Sequence, residues 1–211
     1  MADVEALIRA VEQADSKAAL VMAVRQLSQA REQASIPALI RVLGYNNPGA
    51  AVAAVEGLTA IGDRAVPALL DQIDGYNYGA RAWAIRAVSD IAHPDGLGVL
   101  LDALQSDFAL SVRRAAACGL GKLRWELMPE DQKKAGQQQA MDALVGALGD
   151  DEWVVRYAAV AGLQFLTPAM PAEWRSNITA KIQAIAVADG VMAVRARAVW
   201  AVELLPNSST A

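Results

Sequence analysis

A single cysteine, Cys118, and a single histidine, His93, stand in a chain of 211 residues. One cysteine excludes an internal disulfide, and the two residues together are too few for a cysteine- or histidine-rich metal site. A carboxylate metal site stays open. Aromatic residues amount to only 5%. No apolar run reaches the roughly 18–20 residues that cross a bilayer. The opening MADVEALIRAVEQAD carries charge throughout and has no signal-peptide core. The sequon at Asn177 therefore lacks a secretory context, and a cytoplasm is the expected compartment. There is no basic excess either: the formal net charge is −4 and the pI about 5.0. The basic face of a nonspecific nucleic-acid binder is not expected. No catalytic triad, glycine-rich phosphate loop or metal motif is found.

What the chain has is alanine, 45 residues of it, within a hydrophobic content of 55%. Alanine is the best helix former and lets helices approach closely, so the composition predicts an all-helical, tightly packed protein. The chain also repeats. VRRAAACGL (Val112 to Leu120), VRYAAVAGL (Val155 to Leu163) and VRARAVWAV (Val194 to Val202) align on Arg113, Arg156 and Arg195. GARAWAIRAV aligns on Arg81 and AVAAVEGL on Ala51, with a weaker first copy at Leu20. Apolar or small residues follow three, four and seven positions on, which is helical periodicity. A second helix precedes most copies, as in SIPALIRVL, AVPALLDQI, GLGVLLDAL and AMDALVGAL, with Pro37 and Pro67 suited to first turns. Two helices per unit of about 30 residues predict a solenoid of HEAT-like or armadillo-like hairpins with short repeats. The expected organisation is one domain over residues 1–205, with insertions near 124–138 and 167–176, and a flexible tail over 206–211.

Two readings of the repeated arginine stay open. In the first, each ties a turn or pairs with an acid of the neighbouring repeat, from among Asp63, Asp107, Asp150, Asp151 and Asp189. In the second, Arg113, Arg156 and Arg195 line a concave surface and meet carboxylates or phosphates. The Arg81 copy differs from the others because it opens on Tyr76, Asn77 and Tyr78 and carries Trp83 and Arg86. That grouping reads as a bulky loop over the next hairpin, or as a flat aromatic site with a cationic anchor for a conjugated carboxylate. Trp153, Arg156 and Tyr157 form a second aromatic-basic group at spacings that share a helix face. Trp200 reads as a core or partner contact. Cys118, among small residues, is expected to be buried and inert, and His93 to satisfy backbone groups at a helix end.

The stretches DGYNYGARAWAIRAVSDI (Asp74 to Ile91) and SDFALSVRRAAACGLGKLRW (Ser106 to Trp125) resemble the F-type, or beta, subunits of the E/F phycobilin lyases. The resemblance extends over nearly the whole chain. VRxxAxxAL is common to HEAT repeats, whereas YNYGARAW is much more specific. The resemblance implies a heterodimer with an E-type subunit that attaches phycocyanobilin through a thioether to a cysteine of the phycocyanin alpha chain, and that can reverse or transfer it. It further implies a cyanobacterial cytoplasm, near phycobilisomes, with phycocyanobilin as substrate and no permanent cofactor. Neither nucleic acid nor membrane insertion is expected. A related subfamily isomerises the bilin and carries a His-Cys pair; His93 and Cys118 lie far apart here, so isomerisation is not expected. Local chemistry assigns bilin contacts to Tyr76, Asn77, Tyr78, Arg81, Trp83, Arg113, Trp153 and Arg156, and no catalytic residue is assigned. The rival reading is a noncatalytic scaffold for phycobiliprotein assembly.

Overall fold

The computed structural model describes residues 3–73 and 78–205, and at Tyr78 the backbone alone. Tyr76, Asn77 and the tail over 206–211 lie outside the described residues. Every regular element among the described residues is helical. The chain divides into two compact units, Met1–Ile91 and Ala92–Ala211.

The first unit holds α1 (Val4–Glu12), α2 (Lys17–Ala30), α3 (Ile36–Leu43), α4 (Pro48–Ile61), α5 (Val66–Ile73) and α6 (Tyr78–Ile91). Local chemistry sets the boundaries. Ser16 starts α2 by accepting the Ala19 N–H, and Asn47 starts α4 by accepting that of Ala50, with Pro48 as the first helical residue. Pro37 and Pro67 each stand second in their helices, where a missing N–H costs nothing. The hairpins α1–α2, α3–α4 and α5–α6 stack through α2, α4 and α6. Leu27, Leu39, Leu43, Leu58, Leu69, Ile73 and Ile85 are fully buried between them.

The second unit repeats the scheme with α7 (Leu97–Ser106), α8 (Leu110–Lys122), α9 (Glu130–Ala147), α10 (Trp153–Leu166), α11 (Ala172–Ala188) and α12 (Met192–Leu204). Leu100, Leu120, Leu144, Leu163 and Leu166 fill its core. The two insertions become a short 3-10 turn each, Trp125–Leu127 and Thr167–Ala169, and then lengthen the leading helix of the next hairpin. Thus α9 and α11 run 18 and 17 residues, against 10 for α7. Helices α8, α10 and α12 pack side by side in the order of the repeats. Between α8 and α10 the backbones nearly touch. A Cβ on Gly121 would lie 2.4 Å from the Gly162 carbonyl oxygen, and one on Gly162 would lie 2.5 Å from that of Ala117. Small residues in the VRxAAxxGL copies are what permit this spacing. The fold is an all-α HEAT-like solenoid of stacked helical hairpins.

Candidate functional site

The repeated arginines set the turns from which the helices of the site start. Asp107, Asp150 and Asp189 each precede the arginine of their own copy by six residues. Their Oδ1 atoms accept the backbone N–H two residues on, at Ala109 (2.9 Å), Glu152 (2.8 Å) and Val191 (2.8 Å). The arginine closes the same turn from the other side. Arg113 Nη1 donates to the carbonyls of Asp107 and Phe108, Arg156 Nη1 to those of Asp150 and Asp151, and Arg195 Nη1 to that of Asp189. The remaining donors reach forward one repeat. Arg113 grips Asp150 through Nε and Nη2 at 2.8 and 2.9 Å, and Arg156 grips Asp189 at 2.7 and 3.1 Å. These are fork-to-carboxylate pairs, largely shielded from water. The first reading of the arginine row therefore describes the geometry of Arg113 and Arg156. Four hydrogen bonds from each guanidinium are made inside the chain.

The pairs shift titrations. Asp189 is held below the usual carboxylate range, chiefly by the Arg156 hydrogen bonds, with burial opposing and the Val191 N–H adding to the fall. At Asp150 burial is the strongest influence and acts upward. The hydrogen bonds from Arg113 and the Glu152 N–H, with the charges of Arg113 and Arg156, together outweigh it, and the result is again a lowered value. A carboxyl that titrates lower when folded stabilises the fold fully above its unfolded pKa of about 4. That stabilisation disappears as the pH falls through the folded value. We expect the urea midpoint of the chain to decline below about pH 4, and to decline less steeply in the Asp150→Asn/Asp189→Asn double variant. Parallel profiles for the two proteins would show that the ladder does not couple to pH.

Aromatic and cationic side chains gather at two places. In the first unit, α6 begins at Tyr78 and carries Arg81, whose Nη1 donates to the Ile73 carbonyl at 3.1 Å. Trp83 is half-buried on the same helix. The Arg86 guanidinium sits 5.8 Å from the Trp83 ring and pairs with Asp90 one turn on. In the second unit, α8, α10 and α12 begin with Leu110, Trp153 and Met192, three register-matched residues that are all exposed. Tyr157, one turn after Trp153, is exposed as well. Beyond it Arg197 of α12 lies 5.9 Å from the Tyr157 ring and 4.9 Å from that of Trp200. Lys122 and Phe165 make a further cation–π contact at 6.0 Å. Trp200 is 54% exposed, so it is not a core residue.

Arg197 went unmentioned in the motif reading, and it is the most unusual side chain of this face. Only 5% of it is exposed. Nη2 donates to Gln164 Oε1 at 2.5 Å, while Nη1 is buried with no protein partner. Burial pulls the guanidinium below the ordinary arginine value, and Tyr157 and Cys118 act in the opposite direction. A signal was present in the repeat. The same register position holds Met22, Ala53, Trp83, Ala115 and Ala158, so the last copy alone places a charge there. Cys118, expected to be buried, is half-buried on α8. His93 satisfies a backbone group as expected: its Nδ1 accepts the Asp95 N–H at 3.2 Å. Among the described residues no cluster of His, Cys, Asp and Glu could hold a metal ion, and no helix is long and apolar enough to cross a membrane.

Residues 66–164 match the family model of HEAT repeats. The chain is 48% identical over 201 residues to the phycocyanin alpha phycocyanobilin lyase CpcF of Synechocystis sp., covering 95% of this chain and 94% of that protein. It is 46% identical to a phycocyanobilin lyase subunit beta of Nostoc sp., covering 90% and 94%. Among solved structures it resembles a chain in the complex of CpcE and CpcF of phycocyanin lyase from Nostoc sp. PCC7120. That match has 46% identity and a TM-score of 0.76, over 81% of this chain and 99% of that one. With near-full-length identity far above what the fold alone requires, the chain belongs to the phycocyanobilin lyase subunit family, on its F, or beta, side.

Proposed function

We propose that this chain is one subunit of a heterodimeric bilin lyase that, with an E-type partner, attaches phycocyanobilin to a cysteine of the phycocyanin alpha chain. The near-full-length likeness to relatives named for this activity carries the reading. The chemistry is an addition. The acceptor's sulfur bonds to the exocyclic ethylidene carbon of the bilin, a proton completes the addition, and nothing leaves. The acceptor supplies the thiol, so the task of the lyase is to hold the bilin in one orientation beside it. The exposed Trp153 and Tyr157 offer ring faces for a conjugated tetrapyrrole, and Trp83 with Arg86 offers a similar grouping in the first unit. In this reading Arg113 and Arg156 act by fixing the turn from which the aromatic helix starts. Arg81, Tyr76, Asn77 and Tyr78 are assigned to bilin contact on their chemistry.

The test is coexpression with phycocyanobilin, the phycocyanin alpha chain and an E-type subunit, with this chain present or omitted. The readout is covalent pigment on the denatured acceptor. Correct colour only with both subunits supports the lyase. Colour independent of this chain would overturn it in favour of the scaffold. Trp153→Ala and Tyr157→Ala are each expected to slow attachment about fivefold or more, as the loss of an aromatic stacking contact predicts. Both side chains are exposed, so the melting temperature should change little.

A further inference from the structure

We propose that Arg197 is the anchor for a carboxylate of the bound ligand, with Trp200 as a movable cover and Tyr157 as a side wall. The inference rests on the bilin reading above and names a residue and a role within it.

Arg197 differs from the other shielded arginines of its unit. Arg113 and Arg156 are each matched by a carboxylate held at hydrogen-bond distance. Arg197 is more deeply buried, yet its one side-chain hydrogen bond goes to the neutral amide of Gln164. Its Nη1 lies out of water with no protein acceptor. A buried cation without a counter-charge is costly to the fold, and such a cost is tolerated where an incoming anion relieves it. The surroundings indicate which kind of anion. The Tyr157 and Trp200 ring centroids lie at 5.9 and 4.9 Å from the guanidinium carbon, so the charge sits against two aromatic rings. Trp200 is more than half exposed, and in this proposal its indole swings aside. A flat conjugated ligand can then stack where the indole lay and present a carboxylate to Nη1. A propionate-bearing open-chain tetrapyrrole has both parts.

The test compares phycocyanobilin with its dimethyl ester, in which both propionates are blocked, by absorbance titration of the complex with the E-type subunit. The wild-type complex is expected to bind the acid at least about tenfold more tightly than the ester, as a charge-assisted hydrogen bond predicts. Arg197→Met should bind the two pigments alike while its melting temperature stays level or rises. A merely structural arginine would instead lower the melting temperature and leave the acid-to-ester ratio unchanged. If Arg197→Met does not fold, Arg197→Gln, which keeps an amide for Gln164, takes its place. A variant that retains the wild-type ratio overturns the proposal while leaving the bilin reading intact. An unchanged ratio with weaker association of the two subunits overturns it too, and gives Arg197 to an acid of the partner. No binding of either pigment by the wild-type complex overturns both.

Discussion

Gly162→Val is expected to be the most damaging single substitution in the second unit. The first atom of any side chain at this position would lie 2.5 Å from the Ala117 carbonyl oxygen and 2.7 Å from Leu144 Cδ2. Leucine could give way, but the Ala117 backbone cannot without parting α8 from α10. These helices also meet from the other side, where Gly121 faces the Gly162 backbone. Separation would open the packing of buried Val155, Ala159 and Leu163 along the interface. Overpacking of this kind costs about 3 kcal/mol or more. In a chain of this size that corresponds to a fall of roughly 6–12 °C in melting temperature. Gly98→Ala is the control, since a Cβ there meets nothing within 4 Å. It should leave stability unchanged or raise it by up to about 1 kcal/mol, because alanine is the better helix former. Calorimetry of the two variants beside the parent decides the matter, and a Gly162→Val protein melting with the parent would refute close backbone packing.

Arg156→Ala carries the second large effect. It strands Asp189, whose side chain is only 3% exposed, and it frees the carbonyls of Asp150 and Asp151. Removing one partner of a shielded pair costs about 3 kcal/mol, because the other is left without its counter-charge. Removing both should cost less than the sum of the two single changes. Denaturant titration of Arg156→Ala, Asp189→Ala and the double variant gives the coupling directly, and strict additivity would show that the pair contributes nothing as a pair. Arg156→Lys keeps the charge but not the fork, and should fall between parent and alanine. The loss should extend to function, since the turn that Arg156 closes is where α10 starts with Trp153. Arg197→Met, by contrast, is expected to spare stability and alter ligand discrimination. The two arginines, two helices apart in the same unit, thus give opposite signatures.

Alanine content, a seven-residue echo after each anchor and paired apolar segments were sufficient for the all-helical solenoid of hairpins, because helix periodicity and stacking are local rules that survive in one dimension. The specific YNYGARAW stretch carried the family. The stretches 124–138 and 167–176 each hold a short turn followed by the start of α9 or α11, and that placement came from the tertiary structure. What the linear text could not decide was pairing. Five aspartates were candidates for the arginine row, and only the stacking of one repeat on the next chose Asp150 for Arg113 and Asp189 for Arg156. Exposure was equally a matter of three dimensions. Trp200 sits in an apolar segment, yet more than half of it faces solvent, because α12 ends the described stack and nothing in the described chain follows it there. Arg197, a charge within the same helix, is buried for the complementary reason: it points back across α10, where Tyr157 and Gln164 receive it. Sequence period fixes which residues share a helix face, but the identity of the neighbour across the interface is a long-range fact, and the chemistry of this face depends on it.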